Sequence, residues 1–162
     1  MRLGLAMSKN FFAPRLLRAN NYDVTMMSRA QANLRNFPNL AGLTLLAVDD
    51  NDDNAETLAA VLRAGSADVF QARASAAALA YLDTAPRIDA IVTDLAMRMS
   101  GVELLKKVRA HPRRWRMPVI VTGYDQEYVG VTGFDAFFHK PVNFDRLCAT
   151  ICALVNRRRN SI

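Results

Sequence analysis

Four apolar runs in this chain stop abruptly at a charge or a hydroxyl, and that punctuation most constrains what it can fold into. Leu43–Val48 runs into Asp49-Asp50, Ala90–Thr93 into Asp94, Val119–Val121 into Thr122, and Phe137–His139 into Lys140. An open parallel sheet is covered on both faces, so its strands read as continuous apolar stretches and its chemistry gathers at the carboxyl edge. Three carboxylates, a hydroxyl and an ammonium at one such edge make a pocket for a divalent cation and a phosphoryl group.

The intervals between the runs carry helix signals. Asn54 is expected to cap a helix over Ala55–Arg63, with Gly65 ending it. A short strand, Asp68–Ala72, precedes an alanine-rich helix, Ser75–Leu82, with Ser75 as its cap. Ser100-Gly101-Val102-Glu103 reads as a capping box opening a helix to Ala110. Pro118 starts the strand ending at Thr122, a weak helical segment covers Asp125–Val131, and Ala136–His139 is the fifth strand. Pro141-Val142-Asn143 leads into a last helix, Phe144 to Arg157. Strands alternating with helices predict an α/β fold: a flavodoxin-like, doubly wound five-stranded parallel sheet of order 2-1-3-4-5 with five helices, the fourth short or irregular. In that order the first and third strands are neighbours, so Asp49, Asp50 and Asp94 lie side by side.

At 162 residues the chain has room for one ordinary core and an appendage. Residues 1–42 hold six basic side chains and one acid, Asp23, against 15 basic and 14 acidic residues in the remainder. The excess charge therefore belongs to the extension. The expected organisation is a basic extension over 1–42, a domain over 43–156 and a basic tail over 157–162. The extension shows no sustained period and reads as a solvated leader, in part disordered, or as residues upstream of a start at Met26 or Met27. No apolar run approaches the roughly 20 residues that span a bilayer, and no secretory leader is recognisable, so a cytoplasmic setting is expected. Cys148 and Cys152 share one helix face. They read as two buried thiols and not as a disulfide.

Three carboxylates within a few ångströms repel, so a cation is needed to hold them ionised together. Oxygen donors on a wet edge suit Mg²⁺. Asp94 is the natural nucleophile toward a phosphoryl group, Lys140 supplies a point charge to its oxygens, and Thr122 a hydroxyl to the new phosphate.

These residues resemble the receiver domain of two-component response regulators. The resemblance rests on Asp49-Asp50 in Leu46–Asn51, Asp94 in Ile91–Met97, Thr122 in Val119–Gly123, and Lys140-Pro141. It implies phosphorylation of Asp94 by a sensor histidine kinase or phosphotransfer protein. It also implies Mg²⁺ held directly by Asp50, Asp94 and the backbone carbonyl of Ala96, with Asp49 acting through a water. Thr122 and Phe137 take the positions of the residues that shift on activation, and Phe137 has no hydroxyl to report through. Such a protein is a phosphoacceptor that assists its own phosphorylation and dephosphorylation, not a conventional enzyme; a bacterial setting is the accompanying expectation.

The chain departs from the family pattern after the phosphoacceptor. Met97-Arg98-Met99-Ser100-Gly101 is one residue short and lacks the usual proline, and the interval from Thr122 to Lys140 is short by about one helical turn. Ala96 cannot hold an attacking water by a side-chain hydrogen bond, and Tyr124 is bulky enough to shade the phosphoryl group, so slow self-dephosphorylation is expected. Gly123 leaves the pocket mouth open or serves the turn. With only Asn156–Ile162 after the domain, the expected role is a stand-alone receiver signalling to a downstream protein by contact or phosphorelay. The last helix offers a surface for a homodimer. Two rivals are a phosphorylation-independent scaffold of the same shape and a nucleic-acid binder using the basic segments. Nucleic acid is not the expected partner, because no recognition helix is visible. A flavin site is disfavoured by the acidic first loop, which offers no phosphate cradle.

Overall fold

The structure, a computed structural model, describes residues 38–97, 101–124 and 130–161. Its elements in chain order are β1 (Thr44–Val48), α1 (Asp52–Ala64), β2 (Asp68–Ala72), α2 (Ser75–Thr84), β3 (Ala90–Asp94), α3 (Gly101–Ala110), β4 (Val119–Gly123), β5 (Ala136–His139) and α4 (Phe144–Asn160). All strand pairs are parallel and the order is β2-β1-β3-β4-β5, as the alternation predicts.

Strand alternation divides the core into two layers. Leu45 and Ala47 face one way with Val92 and Ile120, where Leu58 and Leu62 of α1 and Leu147, Ile151 and Val155 of α4 cover them. Leu46, Val48, Ile91 and Val119 face the other way, under Ala78 and Leu82 of α2 and Leu104, Leu105 and Val108 of α3. Each fully buried Leu, Ile or Val adds about 1.5–3 kcal/mol of transfer free energy. This two-sided burial is why β1, β3 and β4 carry almost no polar residue before their carboxyl ends.

Several local expectations are corrected. The cap of α1 is Asn51, not Asn54: the Asn51 side chain accepts from the Asn54 backbone N–H at 3.0 Å. The helix therefore starts at Asp52 and places Asp52 and Asp53 in its first turn, favourable toward the helix dipole. At α2 the cap position is Ala74, without a side-chain hydrogen bond, and Ser75 is the first helical residue. Asn143 caps α4 by accepting from the Arg146 N–H at 3.0 Å, and the helix continues through the basic tail to Asn160. The proposed capping serine, Ser100, lies outside the described residues, as do residues 1–37. The fourth of the five expected helices falls on Asp125–Val131; only Gly130 and Val131 are described there, and neither is helical. Four helices are seen among the described residues, and none is long and apolar enough to cross a membrane.

Gly65 ends α1 for a reason other than left-handed geometry. Its φ is −75°, and the positive φ belongs to Ser66 at 72°. A Cβ on Gly65 would stand 3.0 Å from Leu40 Cδ1, because Leu40 is fully buried and its N–H donates to the Gly65 carbonyl at 2.7 Å. Residues just before β1 thus join the core. Cys148 is buried and Cys152 partly so, both as free thiols; burial, then the nearby Cys152 and Asp145, push the Cys148 thiol up to about 11.

Two charged residues tie loops at the amino edge of the sheet. Arg109, on α3, donates to the carbonyls of Trp115 (3.0 Å) and Met117 (2.8 Å) and to Asp135 (2.8 Å). Asp89 accepts from the Thr44 N–H (2.8 Å), Arg87 (3.0 Å) and Arg159 (3.2 Å). Its carboxyl is buried, which alone would raise its pKa, yet these partners hold it below the ordinary value.

Candidate functional site

The site forms at the carboxyl edge because β1, β3, β4 and β5 all end there within a residue or two of a polar side chain. Asp94 is the last residue of β3 and is in register with Thr122 of β4. Asp49 follows β1, whose Val48 is in register with Thr93. Lys140 follows β5, with its N–H bonded to the Gly123 carbonyl at 2.9 Å, and its peptide bond to Pro141 is cis. Gly123, which the sequence left between two roles, is the backbone partner that anchors Lys140.

Asp94 is 5% exposed, and both its carboxylate oxygens are engaged. Lys140 Nζ donates to Oδ1 at 2.5 Å, and the Ala96 N–H donates to Oδ2 at 3.0 Å. Lys140 also stands 3.8 Å from Asp49. Burial works to lower the Lys140 pKa, but the hydrogen bond and charge of Asp94, with the charge of Asp49, outweigh it and raise the pKa. The ammonium therefore stays charged.

Asp49 is buried and Asp50 exposed. One ligand oxygen from each of Asp49, Asp50 and Asp94 lies within 4.8 Å of the others. Burial raises the Asp49 carboxyl above its ordinary value, and the charges of Asp94 and Asp50 add to this; the Asn51 N–H, at 2.9 Å, and Lys140 pull the other way. A clustered, all-oxygen set of carboxylate donors fits a small hard dication.

Thr122 is buried, and among the described residues its hydroxyl donates to the Thr93 carbonyl, at 3.5 Å. That is long for an O–H···O bond, so little is lost when the hydroxyl turns toward another acceptor. Phe137 is 39% exposed and meets Phe134 edge to face at 5.7 Å, so it is not a ring enclosed in the core. Tyr124 is 55% exposed, with Lys140 Nζ 5.8 Å from its ring centre. It stands at the rim of a cavity of about 290 Å³, whose walls include Asp49, Thr122, Lys140, Leu58 and Phe144. Ala96, exposed, contributes its N–H to Asp94. Arg98, in the shortened loop after Asp94, lies outside the described residues.

Gly101 is the residue that motif reading undervalued. It opens α3 directly behind β3, where a Cβ would come within 2.7 Å of the Asp94 carbonyl oxygen. A glycine at a helix start is visible in sequence; the backbone it faces is not.

Comparison with known proteins matches this geometry to one family. The model of the response regulator receiver domain matches residues 45–152. The stress response regulator protein 1 of the yeast Meyerozyma guilliermondii is 35% identical over 125 residues, which is 71% of this chain and 57% of that protein; the chain thus spans little more than half of that relative's length. The two-component response regulator ORR5 of rice, Oryza sativa, is 30% identical over 66% of this chain and 87% of its own. Among solved structures, a response regulator receiver protein from Pseudomonas putida has 34% identity and a TM-score of 0.61 over 72% of this chain and 98% of its own. A receiver domain protein from Clostridium thermocellum reaches a TM-score of 0.68 at 21% identity, over 74% of this chain and 99% of its own. The relatives include a yeast and a plant, so a bacterial setting does not follow from the likeness. With five parallel strands in the 2-1-3-4-5 order, an acidic cluster at their carboxyl edge and a match over most of its length, this chain belongs to the response regulator receiver domain family.

Proposed function

We propose that Asp94 accepts a phosphoryl group from a phosphohistidine donor, a sensor histidine kinase or a phosphotransfer protein. The observation that carries this reading is the Asp94 carboxylate held 2.5 Å from Lys140 Nζ beside two further carboxylates. A carboxylate oxygen of Asp94 forms the new P–O bond while the donor's P–N bond breaks, and the imidazole leaves neutral after taking a proton. Asp49, Asp50 and Asp94, with the Ala96 carbonyl, would hold Mg²⁺. Bound there, Mg²⁺ supplies charge neutralisation for the phosphoryl oxygens.

Lys140 exchanges its contact with the carboxylate for one with a phosphoryl oxygen. The Thr122 hydroxyl leaves its weak bond to Thr93 and donates to another. That movement, followed by Phe137, shifts a two-state equilibrium whose phosphorylated state a downstream protein, a phosphorelay partner or a second copy binds. Without a polar side chain at Ala96 to hold water, and with the Tyr124 ring beside Lys140 at the cavity wall, hydrolysis of the acyl phosphate is slow. The chain acts as a phosphoacceptor that assists its own turnover.

Intact-mass measurement with acetyl phosphate and Mg²⁺ tests this. One added phosphoryl group, dependent on Mg²⁺ and absent in Asp94→Asn, is the expected result. No transfer from acetyl phosphate or from a phosphohistidine protein would overturn it in favour of a phosphorylation-independent scaffold.

A further inference from the structure

The edge of the sheet opposite Asp94 carries a cavity of about 260 Å³ with a very different lining. Arg113, Trp115 and Arg116 from the loop after α3 face Arg157 and Arg158 from the last turns of α4, more than 40 residues away in sequence. Asp135 also lines it, but that carboxylate already accepts from Arg109 at 2.8 Å and from the Val119 N–H at 2.7 Å. No ion pair among the described residues engages Arg113, Arg116, Arg157 or Arg158.

Four cations thus line one hollow beside a single acid, Asp135, whose Oδ2 is held by Arg109 and the Val119 N–H. The guanidinium of Arg116 sits 5.0 Å from the ring centre of Trp115, a stacking contact that orients its donors. Burial, then the charges of Arg113 and Arg158, lowers the pKa of neighbouring Arg114, which marks the same concentration of positive charge. Guanidinium forks match phosphate oxygens in pairs, and several together suit a ligand carrying more than one phosphoryl group. The volume lies just under the ~300–1,000 Å³ typical of pockets for drug-sized ligands, so it favours a compact group over an extended one.

We propose that this cavity binds a small oligophosphate, either inorganic or the phosphate tail of a nucleotide, at the amino edge of the sheet, distinct from the Asp94 site. Trp115 is the only tryptophan in the chain and lines the cavity, so its fluorescence reports on that wall.

The test is titration of the full chain with sodium tripolyphosphate, without divalent cations and at an ionic strength of about 0.15 M, following Trp115 fluorescence and heat. Saturable binding with a Kd on the order of 10 μM, weakened at least about tenfold in Arg113→Gln/Arg157→Gln and less in the paired Lys variant, is expected. The chain's other basic segments remain in both variants, so unchanged affinity would place the binding elsewhere and overturn the site. ATP binding more tightly than tripolyphosphate would identify a nucleotide source; equal or weaker binding would identify an inorganic one. Sulfate at equal ionic strength matching tripolyphosphate, or an oligonucleotide binding far more tightly, would overturn the proposal.

Discussion

Gly101 and the carbonyl of Asp94 are in contact across the turn that joins β3 to α3, close enough that a Cβ on Gly101 would lie 2.7 Å from that oxygen. The first turn of the helix is thereby seated on the backbone of Asp94. Alanine at Gly101 would gain up to about 1 kcal/mol of helix propensity. It would also push on a backbone oxygen that already accepts from the Thr93 hydroxyl at 3.1 Å, so overpacking at about 1–3 kcal/mol wins. Urea unfolding of Gly101→Ala is expected to show net destabilisation, with slower phosphorylation by acetyl phosphate. A variant as stable as the parent would show that the turn yields freely.

Lys140 plays opposite parts toward the two ligands proposed for this site. Its ammonium competes with a dication for Asp94 and Asp49, at 2.5 and 3.8 Å. Charges this close interact by several kcal/mol even at an effective dielectric of about 20. Lys140→Ala is therefore expected to bind Mg²⁺ about tenfold more tightly by calorimetry. The same variant is expected to accept phosphate far more slowly. Weaker Mg²⁺ binding would mean that the lysine organises the carboxylates more than it competes for them.

Asp89 is expected to make stability acid-sensitive. Its folded pKa lies below the ordinary value of 3.8, so the unfolded chain binds the proton more readily there. The stabilisation is present above that value and is lost as pH falls through the lower, folded pKa. Asp89→Asn is expected to cost about 1–3 kcal/mol at neutral pH, through weakened bonds to Arg87, Arg159 and Thr44. Chemical denaturation of both proteins across the acid range checks this: their difference should shrink as pH falls, and a constant difference would remove the linkage.

Access of water governs the last expectation. Ala96→Asn/Tyr124→Glu would place a hydrogen-bonding side chain beside the acyl phosphate and remove the ring now 5.8 Å from Lys140. Loss of phosphate, followed by intact mass after the donor is removed, should accelerate about tenfold, a barrier change near 1.4 kcal/mol. An unchanged lifetime would assign the slow step to something other than these two side chains.

The strands and their terminal side chains were legible before any coordinates, because two-sided burial leaves few polar residues to confuse the reading. Asp94 and Thr122 stand where apolar runs end, and the sheet order follows from alternating strand and helix signals. Caps were less legible: Asn51 and Asn54 are both competent, and it is the Asn51 side chain that accepts, from the Asn54 N–H. The anchor of Lys140 was hidden as well, since Gly123 acts through a carbonyl that every residue possesses.

By itself the sequence determined the fold class, the strand order and the set of side chains at the carboxyl edge, all of which follow from local periodicity and from where each apolar run ends. Only the tertiary structure decided which atoms meet. Lys140 reaches Asp94 across 46 residues, Arg109 binds loops up to Asp135, and Gly101 is needed because another segment's backbone passes beside it. Arg113 and Arg116 share a hollow with Arg157 and Arg158 only because α4 ends beside the loop after α3. Local propensity carries no information about such contacts, since their partners come close only once the two core layers have closed on the sheet.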